Sequence, residues 1–155
     1  MTSQTPQKKI LYNSVSSASI SDYDLAGQVI GLAMKVHRTL GPGFLESVYL
    51  KALLYELAKA SFKVESDRLI QVHYEGVIVG DFKADLIVND ELVVELKAVS
   101  ACCIEHEIQL VNYLTATGKE TGLLLNFGGR SLEYKRKFRT LKPTDFPALH
   151  RRGQN

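Results

Sequence analysis

Between Leu69 and Val99 the chain alternates apolar and polar residues in three runs rich in β-branched side chains: Leu69–Tyr74, Val77–Val88 and Leu92–Val99. Successive side chains of an extended backbone point to opposite faces, so a period of two predicts strands. Glu75-Gly76 and Asn89-Asp90-Glu91 supply the turns between them. Three consecutive strands commit the chain to a sheet, and the remaining segments must pack on it.

On both sides of this block the period is helical. Ser21 suits an N-cap, with Asp24 three residues later as a weak capping box. Leu25, Val29 or Ile30, Ala33, Val36 and Leu40 then recur at helical spacing until Gly41-Pro42-Gly43 stops the helix. A second helix is predicted over about Phe44–Ala60, carried by Leu45, Val48, Tyr49, Ala52, Leu53 and Leu57. A third, about Glu105–Thr117, is closed by Gly118. Two further strands, Thr121–Phe127 and Leu132–Arg139, are joined by Gly128-Gly129. The order ααβββαββ is that of an α/β fold with one helix crossing between strands. Residues 1–19, rich in Ser, Thr, Gln and Asn, read as a mobile arm, and residues 141–155 as an irregular tail. A single domain over 20–140 lies between them.

With 155 residues, 45% hydrophobic and 23% charged, the chain has the composition of one soluble domain with a real core. No apolar run approaches the roughly 20 residues of a membrane span, and the N-terminus lacks a secretory apolar segment. A cytoplasmic protein without a membrane partner is expected. Cys102 and Cys103 are adjacent, a spacing that strains a disulfide, and no CxxC pair offers zinc ligands. Both are expected as reduced thiols. Residues 130–155 hold eight Lys/Arg and two acids, a net +6, which leaves −4 for the rest of a chain whose total is +2. That asymmetry suggests a basic edge beside an acidic site, and a solvated basic tail would look the same.

The acidic site is sought in the second and third strands. Phe82, Ala84, Leu86 and Val88 share one parity, as do Leu92, Val94 and Leu96, and these are assigned to the core face. Asp85, Glu95 and Lys97 then share the opposite, non-core face. If Asn89-Asp90-Glu91 is a three-residue loop, Val88 faces Leu92 and Asp85 falls directly opposite Glu95, with Cβ atoms about 4.5–5.5 Å apart. Like charges so placed call for a cation, and hard oxygen ligands suit Mg²⁺ or Mn²⁺. On a solvated sheet face the same three residues would only form surface ion pairs. Lys135, Lys137 and Arg139 alternate along the last strand, with Arg136 on its other face, and are read as phosphate contacts. Gly41 and Gly43 do not make a nucleotide-binding loop, since no GK[ST] follows and no strand precedes.

Over about residues 22–139 the sequence resembles the GxxExxY proteins of the PD-(D/E)XK nuclease superfamily. The resemblance is carried by Val36–Tyr49, where Gly43, Glu46 and Tyr49 supply the motif. It continues through Asp85, Val94-Glu95-Leu96-Lys97-Ala98, Gln109–Leu114 and Gly122–Gly128. Ala84 stands where the superfamily's short name has Pro. The resemblance implies a restriction-endonuclease-like mixed central sheet flanked by helices. It also implies a metal-dependent phosphodiesterase acting on nucleic acid, DNA ahead of RNA. Glu46 would join Asp85 and Glu95 as metal ligands, with Lys97 as the fourth catalytic residue. Gln109 and Tyr113, a QxxxY element one helical turn apart, and Tyr49 would bind substrate. His37 is read as a structural histidine supporting the Gly-Pro-Gly turn. A non-catalytic binding module on the same fold remains the alternative, and a homodimer or protein partner is left open.

Overall fold

The computed structural model describes residues 17–140, with side chains from Leu25 onward. The expected tail and residues 1–16 of the expected arm lie outside the described residues. Helix α1 spans Ser17–Leu40 and α2 Glu46–Lys59, followed by β1 (Val64–Tyr74), β2 (Val77–Val88) and β3 (Leu92–Lys97). Helix α3 (Ile104–Thr117) then crosses to β4 (Thr121–Asn126) and β5 (Glu133–Phe138). The order is ααβββαββ, as the periodicities predict. The strands lie side by side as β1-β2-β3-β4-β5, all antiparallel except the parallel β3–β4 pair that α3 connects.

Most boundaries shift by one or two residues, and two shift further for local reasons. Helix α1 already begins at Ser17, so Ser21 lies inside it rather than capping it. Strand β1 begins at Val64 rather than Leu69, because Glu65, Ser66 and Arg68 pair with β2 through backbone groups that leave no hydrophobic signature.

Both faces of the sheet are buried. Leu25, Val29, Ala33 and Val36 of α1 and Tyr49, Leu53 and Leu57 of α2 pack on Leu86, Val88, Leu92, Val94, Leu96, Leu123 and Leu125. On the other face Leu110 and Leu114 of α3 cover Ile87, Val93 and Leu124. The face assigned to solvent by parity is therefore a second core, and only its end near Asp85 is polar. The parity assignment also fails within β2. Phe82 and Ala84 pack on the α3 side, whereas Leu86 and Val88 face α1 and α2. The switch coincides with Asp67 of β1, which has φ 53° and is skipped between the pairs Ser66↔Leu86 and Arg68↔Ala84. A non-glycine residue in that left-handed region turns the ladder locally, as a bulge does.

Strand β3 pairs with β2 only over Leu86↔Val94, Ile87↔Val93 and Val88↔Leu92. Beyond this, β1 and β2 project as a two-stranded ribbon whose residues 71–81 are all exposed, including Val72, Tyr74, Val77, Ile78 and Val79.

The loop between α1 and α2 is pinned from the core. Gly41 (φ 71°) and Gly43 (φ 108°) take backbone angles that favour glycine. The buried Tyr49 donates its hydroxyl proton to the Gly41 carbonyl at 2.5 Å and accepts the Phe44 N–H at 3.2 Å. Its ring stacks on Phe127 at 4.7 Å, and Phe44 meets it edge-on. Tyr49→Phe should keep the ring and strand both backbone groups, lowering stability by about 1–2 kcal/mol in a denaturant melt. An unchanged midpoint would show that these bonds contribute nothing.

Candidate active site

Helix α2 starts immediately after that pinned loop, so its first residue, Glu46, is set at the helix N-terminus facing the end of the sheet. Strands β2 and β3 bring the other acids. The turn Val88–Glu91 closes with the Glu91 N–H on the Val88 carbonyl at 3.0 Å, and Asn89 and Asp90 take φ of 51° and 57°. With Val88↔Leu92 and Leu86↔Val94 paired, Asp85 and Glu95 are opposite each other one step past the last ladder pair. There the carboxylates replace the missing backbone bonds. The Leu96 N–H donates to Asp85 Oδ2 at 2.9 Å, and the Asp85 N–H donates to Glu95 Oε1 at 3.4 Å. The strands part at this point and leave the two acids at the opening.

Glu95 is 7% exposed. Burial, and next the negative charge of Asp85, push its carboxyl up from an ordinary 4.5 to about 8. Glu46 is raised as well, by burial first and then by Asp85, while Lys97 and His106 act in the opposite direction. Each shift reports acids crowded together with too little positive charge among them. Lys97, at the end of β3 opposite Asn126 of β4, is half-buried, and its charge is felt by both Glu46 and Glu95. The cluster thus sits at the carboxyl end of the parallel strand pair, where open α/β sheets leave a crevice.

Helix α3 supplies the remaining wall. Its Tyr113 stacks on Phe82 of β2, with ring centroids 3.5 Å apart and planes at 9°. The Tyr113 hydroxyl is raised by burial and then by the charges of Glu95 and Asp85, which places it beside the acids. Gln109 is exposed one turn before it on the same helix. His106, in the first turn of α3, was not singled out by sequence. Its ring accepts the Cys103 N–H at 3.4 Å, and it stands near enough to Glu46 to act on that carboxyl. No periodicity marks such a residue.

Other sequence candidates are engaged elsewhere. Tyr49 has no exposed surface, so a substrate contact is replaced by its role beneath the Gly41–Phe44 loop. Lys135 and Lys137 both bind the buried Glu107 of α3, Lys137 at 2.6 Å, and draw its carboxyl below the usual range. Arg139 bonds Glu120 at 2.9 Å. The basic residues of β5 are thus ion-paired within the described residues, Lys135 and Lys137 to Glu107 and Arg139 to Glu120. His37 is buried, as a structural histidine would be, but its Nε2 lies 2.9 Å from the Gly129 carbonyl in the β4–β5 link rather than on the Gly-Pro-Gly turn. Sequence also missed the fully bonded Asn126, a polar residue inside an apolar strand. It binds the Val99 N–H and carbonyl, the Gly128 N–H and Glu133, fixing the segment that leaves β3. Gly128 is required there, because a Cβ would lie 2.1 Å from the Val99 carbonyl oxygen.

The donor set fits a hard divalent cation. Two opposed carboxylates, one driven towards protonation, are what a cation between them would relieve. Among the described residues no three His, Cys, Asp or Glu side chains already form a metal cluster. Mg²⁺ does not need one, since one or two carboxylates plus substrate phosphate commonly suffice. Also among the described residues, no helix is long and apolar enough to cross a membrane.

No curated protein matches the chain. The crystal structure of SSO0001 superposes with a TM-score of 0.51 at 21% identity, over 64% of this chain and 53% of that one. The chain therefore spans about half the length of that structure, and the likeness concerns the fold. The family model of the PD-(D/E)XK nuclease superfamily matches residues 23–137, which include Glu46, Asp85, Glu95, Lys97 and Tyr113. On that match and this fold, the chain belongs to the PD-(D/E)XK nuclease superfamily.

Proposed function

We propose that this protein is a Mg²⁺- or Mn²⁺-dependent nuclease of the GxxExxY type that hydrolyses phosphodiester bonds, in DNA ahead of RNA. The observation that carries the reading is the Asp85–Glu95 pair: two acids at directly opposed positions, one buried and raised to about 8, with Lys97 and Glu46 beside them. Asp85 and Glu95 would hold the cation, with Glu46 approaching from α2. Bound there, a divalent ion supplies charge neutralisation at the scissile phosphate and lowers the pKa of a water. Lys97 provides a donor for the attacking water or for charge building on the phosphate oxygens. Tyr113 forms the wall across which a strand passes. Cys102 and Cys103 are unpaired, which suits the cytoplasm.

The test is cleavage of single- and double-stranded DNA and RNA with Mg²⁺, with Mn²⁺, and with EDTA. At least one substrate should be cut with metal and none with EDTA. The open arrangement of the three acids gives the non-catalytic module its best support. Nucleic-acid binding without metal uptake or cleavage would establish that second reading instead.

A further inference from the structure

Two cavities line the seam between β1 and α3. One, of about 520 Å³, is bordered by Phe82, Tyr113, Asn112 and Thr115. The other, of about 490 Å³, is bordered by Arg68, Ile87, Thr117 and Lys119. Gln71, His73 and Ala116 belong to both, so the two form one continuous groove. It leads from the stacked Phe82–Tyr113 pair, which abuts the acids, to a cationic end formed by Arg68 and Lys119.

Resting on the nuclease reading, we propose that this groove holds an unpaired DNA strand running from the Asp85–Glu95 site towards Arg68 and Lys119, and thereby selects single-stranded substrates or ends. The lining is suited to this and not to a duplex. Each cavity has the size of a small-ligand pocket, with room for individual nucleotides but not for a base-paired segment. The aromatic pair offers a stacking surface that only an unstacked base can use, and such stacking tolerates any base. Gln71, His73, Asn112, Thr115 and Thr117 offer donors and acceptors along the floor. At the far end Arg68 and Lys119 both lie on Asp90, at 3.1 and 3.2 Å, and Arg68 also on Glu65 at 3.3 Å. Asp90 is exposed, and exposed ion pairs are weak, so a phosphate can compete for both cations.

The experiment is fluorescence anisotropy in Ca²⁺ with three oligodeoxynucleotides: a single strand, a duplex with a single-stranded extension, and a blunt duplex. The proteins are wild type, Ala116→Trp, which fills the shared wall from an exposed position, and Asp90→Asn, which removes the carboxylate charge that Arg68 and Lys119 share. The first two probes should bind at least about tenfold more tightly than the blunt duplex. Ala116→Trp should weaken single-strand binding about tenfold. Asp90→Asn should strengthen it a few-fold, a gain that misfolding does not produce. Equal binding of blunt duplex and single strand, no binding at all, or affinities untouched by both substitutions would overturn the proposal. Single-strand binding with these responses but no cleavage in Mg²⁺ or in Mn²⁺ would end the nuclease reading and leave the groove standing. Cleavage of blunt duplex, indifferent to both substitutions, would do the reverse.

Discussion

Asp85→Asn should lose divalent-metal binding and cleavage together, whereas Lys97→Ala should still bind metal but cut about 10²–10³-fold more slowly. The two differ because Asp85 supplies one of two opposed carboxylates and Lys97 supplies charge beside the water. Asn is the informative replacement at Asp85. Its amide oxygen can still accept the Leu96 N–H now held by Oδ2, whereas Ala would strand that N–H at a cost of about 1–2 kcal/mol. Metal uptake is measured by calorimetry with Mn²⁺, and folding by a cooperative melt. If Asp85→Asn binds Mn²⁺ as wild type does, the metal site is elsewhere. Residual cutting equal in wild type and Lys97→Ala would identify a contaminating nuclease.

The second large effect is on stability. Glu95 has a folded pKa of about 8 against an ordinary 4.5. Between those values the folded protein keeps a proton that the unfolded chain releases, so unfolding free energy falls as pH rises. The window runs from about pH 4.5 to 8, and the loss from this one group is on the order of 5 kcal/mol. That is a large share of the 5–15 kcal/mol typical of a domain. Glu46 is shifted upward too and adds in the same direction. Glu107 and Glu133 are shifted downward, so their contribution is lost only in acid, below this window. Denaturant melts in EDTA should therefore show wild-type stability declining from pH 5 to 8. Glu95→Gln should flatten that decline, and saturating Mg²⁺ should do so in wild type by favouring the ionised carboxylate. Parallel profiles for wild type and Glu95→Gln would remove the burial argument.

Much of this site could be read from residue order alone. The three-residue link Asn89–Glu91 fixes the register of β2 against β3, and register brings Asp85 opposite Glu95. What could not be read was which faces are covered. Ile87 and Val93 share the parity of the acids and are apolar, a sign that this side is also buried, but alternation alone does not say how far a covering helix reaches. Nor does it reveal that Phe82 and Leu86 face opposite ways despite equal parity, where Asp67 of the neighbouring strand takes a left-handed backbone. Tyr49 shows a different limit. A motif names residues that occur together, and here one turns out to hold the loop from which another, Glu46, is presented.

The ribbon at the end of β1 and β2 carries a cost in the test tube. Two strands alone have little cohesion, and this pair presents Val72, Tyr74, Val77, Ile78 and Val79 to water with an open backbone edge on either side. Such a surface invites sideways pairing between molecules, and a net charge of only +2 offers little mutual repulsion to prevent it. Salt screens that repulsion while leaving the apolar attraction in place. Self-association is thus expected to run through this short stretch of exposed hairpin, on the same two strands whose Gln71, His73 and Phe82 line the proposed groove.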